Sequence, residues 1–293
     1  MQPWNGVAGK RVLITGATSG IGLAAAMELA RRGAQLVMIA RSETKAEEAA
    51  RRVRAAAGEA AVVDTLLADL ASQSSIRQVA AKALERYPTI QVLVNNAGAI
   101  YGTRRLSPDG IELTWAVNHL APFLLTTLLL DRLKASAPAR IVTTSSAAHE
   151  GARIPFDDVN AERSWGRSGF PRYGETKLAN ILFTAELARR VEGTGITANA
   201  FHPGFVASHF NRDNGPLMRI AMALSRPFAR SADKGAETLV WLVDSRPAGD
   251  VSGGYFFDMR PVTPSPGAMD REAALRLWNV SEAQVAHSAL ERR

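Results

Sequence analysis

Short apolar runs alternate with longer amphipathic stretches along almost the whole chain. The runs lack the strict apolar–polar alternation of half-buried strands, so we expect strands buried on both faces of a sheet. The predicted strands are Arg11–Thr15, Gln35–Ala40, Val62–Leu67, Gln91–Asn95, Arg140–Ser145, Thr197–Phe201 and Gly254–Phe257. Helical periodicity fills most intervals, as in Ile21–Arg32 and Glu43–Ala57. The pattern predicts a single α/β domain over residues 1–293, a doubly wound parallel sheet of about seven strands with helices on both faces.

Composition narrows the class of protein. The 293 residues are 46% hydrophobic, enough for one large core. The net charge of +7 comes from scattered arginines, with no basic–aromatic stripe that would indicate nucleic acid binding. The absence of cysteine excludes disulfides, thiolate zinc sites and a cysteine nucleophile. The N-terminus shows no signal segment, and the most apolar run, Leu120–Leu130, is too short to span a bilayer. We therefore expect a cytoplasmic protein with that run as a buried helix.

A glycine-rich turn, TGATSGIG, follows the first predicted strand and opens the first predicted helix. Glycines at such a turn let backbone N–H groups approach a pyrophosphate at the helix N-terminus. The strand–turn–helix context supports a dinucleotide site rather than a plain βα turn. The expected cofactor contacts in this turn are Gly16, Thr18, Ser19, Gly20, Ile21 and Gly22.

The second predicted strand ends at Arg41, where an NAD-binding site would carry Asp or Glu for the ribose 2′-OH. A carboxylate there would repel a 2′-phosphate, whereas arginine can pair with it. The sequence therefore favours NADP(H) over NAD(H). The alternative is that Arg41 is a solvated cap and Glu43 faces the ribose.

Two further stretches lie at predicted strand ends, where ligands bind in open α/β sheets. Asp69 closes the third strand where the adenine would lie and is followed by Leu70, and the fourth strand ends in NNAG. Either stretch alone is more often a turn than a site. Together they support one crevice that includes Asn95, Ala97 and Gly98.

Tyr173 and Lys177 stand four residues apart where a helix is predicted to begin, so both lie on one face of it. Alone, such a pair is usually an ordinary surface contact. Ser146 ends the fifth predicted strand in line with the crevice, while Ser145 should point to the opposite face. The spacing therefore makes Tyr173, Lys177 and Ser146 candidates for one site at the crevice.

Taken in order, TGATSGIG, NNAG, Ser145-Ser146, YGETK and HPG resemble the short-chain dehydrogenase/reductase family, over nearly the whole chain. "VNHLAPFLLTTLLLDRLKASAPARIV", "KLANILFTAELARR" and "RLWNVS" look like its retinol dehydrogenase and protochlorophyllide reductase-like branch. The resemblance implies a Rossmann fold, with a cofactor half at about 10–145 and a catalytic half at about 146–293. Ala121 and Pro122 depart from the branch's usual Gly-His.

The resemblance also implies roles for particular residues. Tyr173 resembles the catalytic tyrosine, Lys177 its partner, Ser146 the carbonyl-orienting hydroxyl and Asn118 the fourth member of the set. Residues expected beside the nicotinamide are Pro203, Gly204, Val206 and Ser208, the last replacing a more usual Thr. A nearby ammonium favours tyrosinate, so we expect Lys177 to lower the pKa of Tyr173. Asn118 could hold a water that relays protons to Lys177.

Two inserts, 149–172 and 205–234, are expected to form the substrate mouth. Their expected apolar lining is Phe156, Trp165, Phe170, Met218 and Met222, which suggests a lipophilic substrate. An alternative for residues 218–230 is a helix that contacts a membrane surface. The five histidines show no metal-ligand spacing, so no metal site is expected, and the lack of G-x-S-x-G gives a serine hydrolase no support.

The leading hypothesis is an NADP(H)-dependent oxidoreductase that interconverts a lipophilic aldehyde or ketone and its alcohol. One alternative is a non-catalytic NADP(H)-binding sensor, since a fold alone does not imply catalysis. Another is a light-dependent tetrapyrrole reductase, against which the absence of cysteine argues. The resemblance also allows a homo-oligomer, with no interface readable from the sequence.

Overall fold

The computed structural model describes residues 4–165, 168–206 and 229–290. Within them the apolar runs form one sheet, because strands covered on both faces gain most from burial when they are continuously apolar. The strands are β1 Arg11–Thr15, β2 Gln35–Ala40, β3 Val63–Leu67, β4 Val92–Asn95, β5 Ala139–Thr144, β6 Ile196–Phe201, β7 Tyr255–Phe257 and β8 Arg260–Pro261. The first seven are parallel, as predicted, and the two-residue β8 adds an antiparallel edge strand.

The helices follow the sequence periodicity closely. They are α1 Gly20–Arg31, α2 Glu43–Ala57, α3 Gln73–Arg86, α4 Leu113–Trp115, α5 Ala121–Ala135, α6 Gly169–Arg190, α7 Ala232–Asp244 and α8 Arg271–Leu290. A π-helical turn, Ala116–Leu120, joins α4 to α5. Two of these helices shorten the predicted inserts: α6 takes in residues 169–172 and α7 takes in residues 232–234.

The strand order is β3-β2-β1-β4-β5-β6-β7-β8, so the chain changes direction across the sheet between β1 and β4. In sheets of this kind the ligand crevice opens at that switch point, outside the carboxyl ends of the strands. The turns after β1, β4, β5 and β6 all leave the sheet at this edge because the strands are parallel. The fold therefore brings the predicted motifs to one side of the molecule.

Two apolar cores cover the two faces of the sheet. Leu23 and Leu29 of α1 pack with Leu239 of α7 on one face. Residues of α3, α5, α6 and α8 pack on the other, where Phe123 and Trp278 lie with ring centroids 5.0 Å apart. Both faces are therefore helix-covered, which confirms the doubly wound prediction.

The apolar run 120–130 belongs to a longer helical stretch than expected. Leu113–Ala135 is 23 residues long, so by length and composition it could cross a membrane. However, 72% of its apolar window is buried inside the protein, against the sheet and α3. Among the described residues it is the single stretch that meets this test, and its packing is that of a core helix.

Candidate active site

The glycine-rich turn is tied directly to the end of β4. The hydroxyl of Thr15, the last residue of β1, accepts the backbone N–H groups of Asn96 and Ala97, each at 3.0 Å. In return, the Asn96 side-chain amide donates to the carbonyls of Thr15 and Gly16, each at 3.2 Å. These bonds fix the two loops that border the switch point against each other.

Close backbone approach requires glycine at two positions of this turn. Gly16 has a φ of +69°, and a Cβ on it would lie 2.8 Å from the Cα of Ala97. A Cβ on Gly22 would lie 2.2 Å from the carbonyl oxygen of Gly16. A larger residue at either position would therefore push the turn away from its neighbour, which is the packing reason for the glycine spacing.

The N-terminus of α1 offers donors to an anion. Its N-cap residue Ser19 is exposed and makes no side-chain cap, whereas Ser42 caps α2 by accepting the N–H of Lys45. Uncapped N–H groups beside the helix dipole suit a phosphate. The other predicted contacts of the turn, Thr18 and Ile21, are both partly buried beside this helix end, and Gly20 begins it with a φ of +54°.

The predicted adenine and ribose contacts lie along the same edge. Arg41 directly follows β2 and is exposed, as is Glu43. Asp69 lies two residues beyond β3 rather than closing it, and its carboxylate accepts the N–H of Ala71 at 3.0 Å. Leu70 is partly buried and packs against the core.

The NNAG stretch contains one unsatisfied buried acceptor. Asn95 ends β4 and is 2% exposed, and its amide nitrogen donates to Thr126 at 3.0 Å. Its Oδ1 atom has no hydrogen-bond partner within the described residues. Ala97 and Gly98 follow in the loop that faces the glycine-rich turn.

Tyr173 and Lys177 share one face of α6, as the spacing predicted. The Lys177 ammonium lies 5.3 Å from the centroid of the Tyr173 ring and donates to the carbonyl of Thr144 at 3.1 Å. Lys177 is 2% exposed, while Tyr173 is partly buried. The pair therefore lies at the carboxyl end of β5, inside the crevice.

The pKa values correct one expectation. Burial raises the pKa of Tyr173 to about 12, and a hydrogen bond with Ser146 opposes that shift. Burial also lowers the pKa of Lys177 to about 8. The ammonium lies over the phenol ring, but burial dominates, so the expectation that the pKa of Tyr173 falls below its ordinary value of about 10 is wrong for this structure. At neutral pH the phenol keeps its proton.

The structure separates the two serines after β5. Ser145 is buried, and its hydroxyl donates to the carbonyl of Lys177 at 2.8 Å. Ser146 is partly exposed and shares a hydrogen bond with Tyr173. The loop that carries Ser146 reaches α6 because Gly174 has no side chain: a Cβ there would lie 2.5 Å from the carbonyl oxygen of Ala148.

The side chain of His149 holds the backbone of Ser146 in place. The His149 Nε2 atom accepts the N–H of Ser265 at 3.1 Å, so the ring proton is on Nδ1 and donates to the carbonyl of Ser146 at 2.8 Å. The ring is 1% exposed and packs edge-on against Tyr255. Sequence analysis assigned no role to His149, one of five histidines without metal-ligand spacing. Within the described ranges no group of His, Asp and Glu side chains could hold a metal ion.

Asn118 lies in the π-helical turn and is fully buried. Its amide is already used within the protein: Oδ1 accepts the N–H of Ala99 at 2.7 Å, and Nδ2 donates to Ala99 at 2.8 Å and to Thr176 at 3.1 Å. The side chain therefore joins the loop after β4 to α6. π-Turns are frequent at functional sites because they displace backbone groups from the regular ladder.

The segment after β6 closes the edge of the site. Pro203 and Gly204 are partly buried, and Gly204 has a φ of +78°. Val206 pairs with Arg230, whose N–H donates to the carbonyl of Phe205 at 2.8 Å. The predicted Ser208, Met218 and Met222, and most of the proposed membrane helix 218–230, lie outside the described residues.

The expected substrate lining is only partly in place. Phe170 is 58% exposed, and its ring centroid lies 6.3 Å from that of Tyr173. Phe156 is partly buried against the core with the Arg276 guanidinium 4.5 Å from its ring centroid, and its place in the substrate lining stays a prediction. Trp165 is partly buried in the insert.

Sequence reasoning missed the polar residues that fix the site. Thr15 and Asn96 were inside quoted motifs but were not singled out. Thr144 accepts from Lys177 through its carbonyl and donates to Asn96 Oδ1 at 3.3 Å through its hydroxyl. Each is a polar residue at or just beyond the carboxyl end of a strand, and that position was the available signal.

The sequence and the fold both match those of a known protein family. The model of the short chain dehydrogenase family matches residues 10–217. Human retinol dehydrogenase 14 is 43% identical over 292 residues, covering 94% of this chain and 86% of the relative. An uncharacterized protein from Mycobacterium paratuberculosis has a TM-score of 0.77 at 35% identity, covering 97% of this chain and 98% of the other.

The chain belongs to the short-chain dehydrogenase/reductase family of oxidoreductases. Within it, the chain belongs to the retinol dehydrogenase-like branch. A short chain dehydrogenase from Burkholderia cenocepacia J2315, solved in complex with NADP, has a TM-score of 0.69 at 26% identity, covering 91% of this chain and 100% of the other. The closely approached glycines and the uncapped start of α1 fit such a nicotinamide cofactor.

Proposed function

We propose that the protein is an NADP(H)-dependent oxidoreductase that interconverts a lipophilic aldehyde or ketone and its alcohol. The observation that carries the proposal is the meeting of Ser146, Tyr173 and Lys177 beside the glycine-rich turn. Ser146 and Tyr173 share a hydrogen bond, and Lys177 lies against the Tyr173 ring. A binding module has no need of a proton donor buried next to a positioned hydroxyl.

Each side chain has a separate task in this proposal. The cofactor, when bound, supplies or accepts the hydride. Ser146 donates a hydrogen bond to the substrate oxygen and stabilises its developing negative charge. Tyr173, protonated at neutral pH, gives its proton to that oxygen in the reductive direction. Lys177 is mainly charged below a pKa of about 8, and its ammonium stabilises the tyrosinate left behind.

The preference for NADP(H) depends on Arg41. Arg41 is exposed just beyond β2, on the crevice edge, where we expect the 2′-phosphate. Guanidinium and phosphate form charge-assisted hydrogen bonds, often bidentate. The NADP named with the Burkholderia protein supports the same cofactor.

The lipophilic substrate class is supported by apolar surface beside the site. Phe170 and Phe205 are 58% and 50% exposed, one next to Tyr173 and the other next to Gly204. Large exposed aromatic side chains at the rim of a crevice favour an apolar ligand. The names of the retinol dehydrogenase relatives point to a substrate of the same character.

The proposal is tested by oxidation of NADPH with a panel of aldehydes and ketones, from small polar to long-chain, retinoid and aromatic. We expect turnover on the apolar members. In the Tyr173→Phe variant we expect kcat to fall by about 10²- to 10⁴-fold. The dissociation constant of NADPH, measured by fluorescence titration, should stay within about threefold, because the phenol hydroxyl acts mainly on the substrate oxygen.

Tyr87→Phe is the matched control, since its hydroxyl bonds to Asp64 at the far end of the sheet. It should keep wild-type kcat. Tight NADPH binding without turnover on any member, in either direction, would contradict the enzymatic proposal. Undiminished turnover by Tyr173→Phe would remove Tyr173 as proton donor.

A further inference from the structure

The residue directly before Tyr173 is a buried arginine. Arg172 is 1% exposed, and each of its guanidinium nitrogens contacts a different group. Nε bonds to Glu112 and Nη1 to Glu175, each at 2.8 Å, while Nη2 donates to the carbonyl of Val159. The guanidinium also lies 4.7 Å from the ring centroid of Trp115. One side chain therefore connects α6 to the start of α4 and to the 149–172 insert.

The buried carboxylate of Glu112 also binds several partners. It is 0% exposed, and its carboxylate accepts the N–H groups of Thr114 and Trp115 at 2.8 and 2.9 Å. Those bonds cap the helical stretch that continues into the π-turn with Asn118. The Arg172–Glu112 pair thus joins the start of the Asn118 helix to the start of the Tyr173 helix.

A second link lies one turn further along α6. The Thr176 hydroxyl donates to the carbonyl of Tyr173 at 2.7 Å and accepts from Asn118 at 3.1 Å. Arg172 and Thr176 therefore flank Tyr173 and hold the same neighbouring segment, residues 112–118. We call these two links, Arg172–Glu112 and Thr176–Asn118, the clamp.

We propose that Arg172 is a positioning residue that, through the clamp, holds Tyr173 in register with Asn118 and with the Ser146 loop. This inference rests on the proposed function for its catalytic meaning. Well-packed apolar residues would stabilise such a buried site at least as well as an ion pair. A buried pair does offer fixed geometry, because a guanidinium with three directed partners tolerates little rotation.

The test compares Arg172→Met with Arg189→Met. Arg189 lies on the same helix, about 26 Å further along, and bonds to Glu186, three residues before it, at 2.6 Å. For Arg172→Met we expect kcat to fall about 10- to 100-fold, since a small misplacement of a reacting group has that effect. The KM for NADPH should change less than about threefold, and Arg189→Met should retain wild-type kcat.

A purely structural role predicts a different result. It would lower the melting temperature of Arg172→Met while leaving kcat per folded molecule unchanged, and that outcome would overturn the proposal. Glu112→Gln keeps an acceptor for the helix cap but removes the charge, so it should also lower kcat. Because the two residues act as a unit, the double variant should be no slower than Arg172→Met alone. Additive losses would contradict the clamp.

Hydrogen exchange separates this inference from the proposed function. In Arg172→Met, amides of segments 113–120 and 169–177 should exchange at least about tenfold faster than in wild type. Arg189→Met should leave both segments protected. If the wild-type protein turns over no substrate, the proposed function fails, and the exchange result alone decides the clamp. Unchanged exchange in both segments would overturn it.

Discussion

At the residue scale, Lys177 is held in an unfavourable environment for a charge. It is 2% exposed, and burial lowers its pKa from 10.5 to about 8. Between about pH 8 and pH 10.5 the lysine keeps its proton in the unfolded chain but loses it in the folded protein, so stability rises with pH over this range. The destabilising contribution of the lysine is therefore fully present at neutral pH and disappears as pH rises from about 8 to about 10.5. A buried ammonium is therefore kept at a cost to stability, which is common at functional sites.

We predict that Lys177→Met changes the pH dependence of stability. Thr144 still accepts the amide of Asn180 at 3.2 Å in this variant, so no buried carbonyl is left unpaired. The stability advantage of the variant over wild type should shrink by about 2–3 kcal/mol between about pH 7 and pH 10. Urea denaturation of the cofactor-free proteins measures it. A pH-independent difference would mean that Lys177 keeps its ordinary pKa.

Arg41 provides a second prediction at this scale. Arg41→Asp should raise the dissociation constant of NADPH about 10- to 100-fold, because it replaces a charge-assisted contact with repulsion. The constant for NADH should change less than about threefold. Arg52→Asp, with the same charge change on the exposed side of α2, is the control. Equal weakening of both cofactors by Arg41→Asp would refute the 2′-phosphate contact.

At the element scale, the contact between α6 and the loop after β5 determines where Ser146 lies. Gly174→Ala would place a Cβ 2.5 Å from the Ala148 carbonyl and push that loop away from Tyr173. We predict a fall in kcat of about 10- to 100-fold with NADPH affinity preserved. The helix itself should not weaken, since Ala is about 1 kcal/mol better than Gly in a helix interior.

Gly267→Ala is the control for Gly174→Ala. Its Cβ would have a single neighbour, at 4.0 Å, and its φ is ordinary. Activity should remain at the wild-type level. Wild-type kcat in Gly174→Ala would show that the loop can shift without moving Ser146.

Secondary-structure elements could be predicted from the sequence where neighbouring residues determine them. The seven parallel strands start and end within a residue of prediction because continuous apolar runs bounded by glycine, proline and polar residues determine them. The glycine-rich turn and the Tyr173–Lys177 face followed from spacing alone. Spacing does not predict the Arg172–Glu112 pair, whose partners are 60 residues apart, or the hydrogen bonds by which Asn118 joins the loop after β4 to α6. Only the folded chain brings those partners together. Likewise, the pKa shift of Tyr173 depends on burial, which spacing does not reveal.

At the scale of the whole molecule, the C-terminal helix α8 connects the two predicted halves. Gln284 accepts from Gln73 through its backbone, at 3.2 Å, and from the indole of Trp115 through its side chain, at 3.0 Å. Ser281 bonds to His119, beside Asn118, at 2.8 Å. α8 belongs to the predicted catalytic half and packs on α6 there, while these bonds reach α3 and the π-turn of the cofactor half. This supports the proposal that residues 1–293 form one domain.

We therefore predict that weakening α8 destabilises both halves together. Trp278 is 5% exposed and stacks on Phe183 with a centroid separation of 5.9 Å. Trp278→Ala should lower the free energy of unfolding by about 3–5 kcal/mol. Urea unfolding should remain a single transition, coincident by circular dichroism and by the fluorescence of tryptophans on both faces of the sheet.

Trp278→Phe is the matched control, because it keeps an aromatic ring in place and removes an indole N–H that has no partner in the described part of the chain. Its loss of stability should stay below about 1.5 kcal/mol. If Trp278→Ala instead split the transition in two, the cofactor half would be folding on its own. The chain would then be two cooperative units joined at the crevice, and α8 would stabilise the catalytic unit alone.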